Sequence, residues 1–335
     1  MNNSTVAQQN INISFSAARV FAIISIVAAH INFDAPENIF KIVNSIGSVG
    51  VIAFIVMSAY FFHSEKSANM GNFFLKKVKT IIIPWIFMGT IVFMYNAILA
   101  HKAITPISWL IFILGNKSFL YYLTMLMLCY IIFYKRNIIT ISVAFIVNIV
   151  SVYLTAAGKL NGIITDLHIT NYLNIFNWVG YFALGCVLQN IKPEKLYRAL
   201  TSVRIPVILV FAVCWAGICV FKIPTGYFSY VGMPFQLLGC AAIFCISTMG
   251  FQKYRVVHTI SNMTFGIYLM HMIIIGLCDR LYLITTITKL FSPVIVVVIC
   301  CVILYAGYIV CKLIKIDKLY CMLTGIRMNR NIKEK

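Results

Sequence analysis

Apolar residues gather along the chain into ten runs, near 15–33, 43–63, 80–100, 119–134, 138–156, 172–189, 205–221, 231–249, 260–278 and 291–311. Runs of this length and apolarity read as membrane-crossing helices. Only Lys135, Arg136 and Asn137 separate the fourth run from the fifth, which predicts a tight helical hairpin. The longest polar stretches are the N-terminal dozen residues, the segment around 157–171 and the basic tail after Lys312. None is long enough to be a soluble domain. The expected fold is therefore all-α, a polytopic membrane helix bundle of about ten transmembrane helices. It forms a single membrane domain over 1–335 with a basic tail from about 312. No repeat relates the two halves, and no matched pair of Gly/Pro-broken helices appears, which counts against a secondary transporter.

Composition strengthens this picture. Of 335 residues, 61% are hydrophobic and 10% charged, with a mean hydropathy of +0.94, values that exclude a soluble globular protein. The first run lacks a basic leader and a small-residue cleavage site and keeps Arg19 inside it, so it reads as a retained helix rather than a signal peptide. The net charge of +19 invites a nucleic-acid partner, but no RNA- or DNA-binding motif accompanies it. Its distribution supplies a better account. With the N-terminus inside, 20 of the 27 Lys and Arg residues fall on the cytoplasmic side, leaving Lys41, Lys102, Lys117, Lys159, Lys222, Arg280 and Lys289 outside. Such asymmetry sets orientation and predicts that both termini are cytoplasmic. The eleven cysteines lie in or beside apolar runs or in the tail, and their spacings suggest neither a disulfide framework nor a metal site.

Against this background the ionisable residues inside the apolar runs stand out. Arg19 and His30 share the first run, and eleven residues of helix return the chain to nearly the same face about 16 Å further along. A charge inside a membrane helix is costly and by default marks a functional site. A fixed cation at one end and a titratable imidazole three turns away suit a ligand that is anionic at one end and reactive at the other. Taken alone, Arg19 also reads as a snorkelling topology anchor and His30 as a structural histidine between helices, and both readings stay open at this level. His271, in the ninth run, is expected at a depth similar to that of His30, with Tyr268 three residues earlier on much the same face. Ser58 reads as a small packing residue.

The setting AARVFAIISIVAAH around Arg19 and His30 resembles the first-helix motif of acyltransferase family 3, integral-membrane O-acyltransferases of bacterial cell-surface glycans. Three further segments agree in order: GVIAFIVMSAYFF (Gly50 to Phe62), FFLKKVKTIIIPW (Phe73 to Trp85) and SNMTFGIYLMH (Ser261 to His271). NWVGYFALGCVL (Asn177 to Leu188) is similar to a helix of the branch that acetylates exopolysaccharide and capsule sugars. Val20, Ala59 and Thr264 replace the family's usual Gly, Gly and Ser, and lysines stand where arginine is common, which keeps charge but loses bidentate phosphate geometry.

The resemblance implies a bacterial inner-membrane O-acetyltransferase that moves an acetyl group from acetyl-CoA to a sugar hydroxyl of an envelope polysaccharide or its lipid-linked precursor. The chain ends soon after the tenth run, so a one-step transfer within the membrane domain is expected. Acetyl-CoA enters as a substrate, and no metal is expected. Arg19, Lys76, Lys77 and Lys79 are the candidates for binding donor phosphates. Acyl transfer to a hydroxyl needs a base active near neutral pH, a task suited to histidine. His30 is that candidate, with Asp34 one turn on to hold its other ring nitrogen. His271 and Tyr268 are candidates for orienting substrate. The expected partners are the bilayer, an acyl-CoA and a glycan or lipid-linked sugar, without nucleic acid. The rival readings are a carrier or flippase for a lipid-linked sugar, without covalent chemistry, and a noncatalytic scaffold.

Overall fold

The computed structural model describes residues 3–31, 42–62, 70–281 and 288–328. These are helical, with no strand among them. In chain order the helices are α1 (Asn3–His30), α2 (Ile42–Tyr60), α3 (Met70–Leu99), α4 (Pro106–Ile113), α5 (Tyr121–Ile132), α6 (Ile138–Ala156), α7 (Asn161–Asp166), α8 (Val179–Gln189), α9 (Pro193–Ser202), α10 (Arg204–Phe221), α11 (Gly232–Ser247), α12 (Arg255–Arg280), α13 (Ser292–Leu313) and α14 (Asp317–Thr324). Six apolar helices among the described residues are long enough to cross a membrane: α2, α3, α6, α10, α12 and the segment Thr288–Leu313 that contains α13. The other four runs carry shorter apolar helices, Ser14–His30 within α1, α5, α8 and α11.

The shortfall has a local cause in the run at 172–189. At about 1.5 Å per residue, α8 spans roughly half of a 30 Å hydrocarbon core. Ahead of it, asparagines divert the backbone into two 3-10 turns, Asn171–Leu173 and Ile175–Asn177. Asn174 Oδ1 accepts from the Phe176 N–H at 3.2 Å, and Asn177 Oδ1 accepts from the Ser151 hydroxyl at 2.7 Å. Side chains that bond nearby backbone compete with helix formation. Side chains take up carbonyls of the first turn, Asn177 Nδ2 donating to Asn171 O at 3.1 Å and Trp178 Nε1 to Tyr172 O at 2.9 Å, so irregular backbone is tolerated inside protein.

α3 begins at Met70, ten residues before the run expected at 80–100, and contains a π turn at Val78–Ile82. Pro84 lacks an N–H and its ring presses on the carbonyl one turn back; a widened turn just before it accommodates both effects. α1 packs against α2, α11, α12 and α13, and α2 packs in turn on α8 and α11. The contact of α1 with α2 is close because Gly50 has no side chain: a Cβ there would lie 2.3 Å from the Ala22 carbonyl oxygen. Ser25 clasps the pair, donating to Ile46 O at 2.6 Å and accepting from the Gly50 N–H at 2.8 Å. Asn44 Nδ2 donates to Ala29 O at 3.0 Å, anchoring the end of α1 that carries His30. On the outside, α10 has a mean hydropathy of 2.3 and is only 6% buried, a bare apolar surface that needs lipid around it.

Candidate active site

α1 sets the long axis of the site. Arg19 is half-buried, its guanidinium 5.2 Å from the centre of the Phe61 ring at the end of α2. Eleven residues on, the His30 ring lies 5.1 Å from that of His271 on α12 and 6.3 Å from Phe119, which precedes α5. Phe119 in turn lies 5.2 Å from His271 and 5.5 Å from Tyr268. The Tyr268 hydroxyl donates to the Phe119 carbonyl, tying α12 to the segment before α5. His271 is fully buried, with Nδ1 2.6 Å from its own helix's Tyr268 carbonyl. A carbonyl only accepts, so Nδ1 carries the proton and Nε2 the lone pair in the neutral ring. Nε2 has no hydrogen-bond partner among the described residues.

Two cavities flank this cluster. The first, of about 220 Å³, is lined by Arg19, Lys77 and Arg327 and by polar groups including Ser58, Tyr122, Ser261 and Tyr268. The second, of about 540 Å³, is lined by His30, Asn44, Phe119 and Lys117 together with Tyr121, Tyr172 and Tyr227. Three helices pass from one cavity to the other within one turn: α1 from Ile26 to Ala29 and His30, α12 from Tyr268 to Met272, and α5 from Tyr122 to Tyr121. The two linings therefore approach within about a helical turn of each other, and the segment between them, here called the wall, has His30 toward one cavity and Tyr268 toward the other.

The model of the acyltransferase domain of family 3 matches residues 12–310. The chain is a member of acyltransferase family 3. No curated protein and no solved structure matches it. As a family-3 acyltransferase with these apolar helices, it is a multi-pass membrane protein.

The sequence-predicted residues distribute unevenly around this acyltransferase's two cavities. Arg19, Lys77 and Tyr268 line the first, and His30 lines the second. Lys76 and Lys79 are exposed and line neither. Lys77 turns inward, its Nζ 3.9 Å from the centre of the Tyr130 ring and 5.2 Å from that of Phe73, an arrangement favourable for a cation. His271 lines neither cavity but packs behind His30. Asp34 lies outside the described residues. Ser58, expected only to pack, lines the first cavity together with Tyr122 and Tyr130. Sequence reasoning missed Phe119, Tyr122 and Arg327. Nothing in an apolar run distinguishes an aromatic residue that divides two cavities from one that faces lipid, and Arg327 sits in a tail whose charge topology already explains. Among the described residues, no group of three His, Cys, Asp or Glu side chains gathers in a way that would hold a metal.

Proposed function

We propose that this acyltransferase moves an acetyl group from cytosolic acetyl-CoA to a sugar hydroxyl of a cell-envelope polysaccharide or its lipid-linked precursor. The reading places it in the bacterial inner membrane with ten crossings and both termini cytoplasmic. The observation that carries it is the pair of cavities whose linings come within about one helical turn of each other on three helices. One is lined by three cations, and the other is larger, lined by aromatic and polar side chains that include the His30 imidazole.

In this reading the donor's phosphates sit against Arg19 and Lys77, with Lys76 and Lys79 raising the positive potential at the entrance. The acyl end reaches Tyr268 and Ile26, one turn from His30. The acceptor hydroxyl enters from the second cavity. As its oxygen attacks the thioester carbonyl, His30 takes its proton. The tetrahedral intermediate then breaks its C–S bond, and the departing thiolate takes that proton from the imidazolium, giving coenzyme A and an acetyl ester. His271 acts as a positioning residue: its buried ring, held through Nδ1–H to the Tyr268 carbonyl, packs 5.1 Å from that of His30 and fixes how that imidazole faces the second cavity. Tyr268 holds the wall through Phe119 and faces the donor side. Asp34, one turn beyond His30, remains the proposed partner of its other ring nitrogen.

The test uses the purified chain in lipid nanodiscs with isotopically labelled acetyl-CoA and a glycolipid extract. Label in the glycan fraction with matching release of free thiol supports the reading. Binding of glycolipid without acetyl incorporation would instead fit a carrier.

A further inference from the structure

The segment after α14 lies beyond the residues that the family model matches, yet it reaches the first cavity. α14 packs on α3, α12 and α13, and the Tyr320 hydroxyl donates to Leu304 O at 3.1 Å. Gly325, at φ +75°, turns the chain back in a conformation that suits glycine. Ile326 is then buried, and the Arg327 backbone N–H donates to Asn262 O at 3.0 Å on the second turn of α12. Gly266 gives the strap its room: a Cβ there would meet Ile326 Cγ2 at 2.8 Å and Thr324 O at 3.0 Å. Backbone and apolar contacts thus hold the strap, while the Arg327 side chain lines the cavity with Arg19 and Lys77.

The chemistry of that cavity asks for an anion. Three cationic side chains, Arg19, Lys77 and Arg327, line about 220 Å³, and no carboxylate joins them among the described residues. Ser261 lines the same space, is 6% exposed, and its hydroxyl has no hydrogen-bond partner among the described residues.

We propose that Arg327, carried by the strap, is a phosphate-binding residue of the donor site. Its planar fork grips a phosphate of the acyl-CoA in the two-point manner that lysine cannot supply, and the Ser261 hydroxyl donates to the same group. This rests on the reading of the first cavity as the donor site.

The experiment measures binding of coenzyme A to the full chain in nanodiscs, with thermal unfolding of each variant in parallel. Arg327→Gln should weaken binding about ten- to a hundredfold, the range for a lost charged hydrogen bond. Arg327→Lys should recover part of the loss, and Lys318→Gln, a neutralisation at an exposed site on α14, should stay within about twofold. The unfolding midpoint of Arg327→Gln, read alongside, separates a loss of binding from a loss of fold. If wild type itself binds no coenzyme A, the donor-site reading falls and takes this inference with it. If Arg19→Gln loses affinity while Arg327→Gln keeps it, the donor site stands and the role of Arg327 is overturned. Equal losses in Arg327→Gln and Lys318→Gln would likewise overturn it, in favour of diffuse tail charge. Should Arg327→Gln unfold, wild-type affinity in a folded Arg327→Lys overturns the two-point grip.

Discussion

Tyr268→Phe probes the wall between the cavities with the smallest available change. It deletes one oxygen and keeps the ring, which packs 5.5 Å from Phe119, 5.4 Å from Tyr122 and 5.9 Å from His271. The volume lost is slight, so the cavity penalty of a core truncation does not arise. What is lost is the hydrogen bond to the Phe119 carbonyl, between residues that are 4% and 7% exposed. Removing one partner of a buried bond costs about 1–3 kcal/mol, because the remaining group stays desolvated without a replacement. That energy corresponds to about a five- to 150-fold shift toward an open arrangement of the segment before α5. An open wall admits water to the acyl end of the donor. Tyr268→Phe should therefore lower the unfolding midpoint modestly and raise acceptor-independent release of coenzyme A relative to acetyl transfer. The assay follows free thiol and labelled glycan in the same reaction. A folded Tyr268→Phe protein that keeps the wild-type ratio of thiol to ester would refute the idea that this bond seals the wall.

Three other outcomes follow from the geometry. Lys77→Gln should raise the KM for acetyl-CoA about tenfold with little change in the acceptor KM, whereas the exposed Lys76→Gln and Lys79→Gln should each change it about twofold or less, as steady-state kinetics will read. Gly50→Ala forces a Cβ to 2.3 Å from the Ala22 carbonyl and should destabilise the α1–α2 pair by about 1–3 kcal/mol or more, seen as a lower unfolding midpoint and poor recovery from membranes. Cysteines placed at Lys159 and Lys253 should label from opposite faces of the membrane; labelling of both from outside would contradict the proposed ten crossings.

The fold was legible where hydrophobicity alone decides it, and less so where polar residues redirect the backbone. Every apolar run contains an apolar helix, yet the one at 172–189 starts late because Asn174 and Asn177 bond backbone and side chains that a continuous helix would have left to itself. The helix around Pro84 starts early, since the stretch containing Lys76, Lys77 and Lys79 continues into the apolar run through a π turn that linear hydropathy does not register. The spacing of Arg19 and His30 is a helical property and survives intact, with one residue at each cavity. Which of three neighbouring lysines points inward depends on Tyr130 and Phe73, ring partners that no local pattern announces. Arg327 reaches the same cavity only because Gly266 and Gly325 let the tail fold back, a tertiary event separated by some sixty residues along the chain.

The central claim is that His30 is the base that deprotonates the acceptor, and His30→Ala tests it most directly. The variant should insert normally and bind coenzyme A with wild-type affinity, since the cations lie in the other cavity. Its rate of acetyl transfer under saturating donor and acceptor should fall by about two to four orders of magnitude, the usual contribution of a positioned general base. Near-normal transfer to glycan by a correctly folded His30→Ala protein would contradict the mechanism, even with the family membership intact.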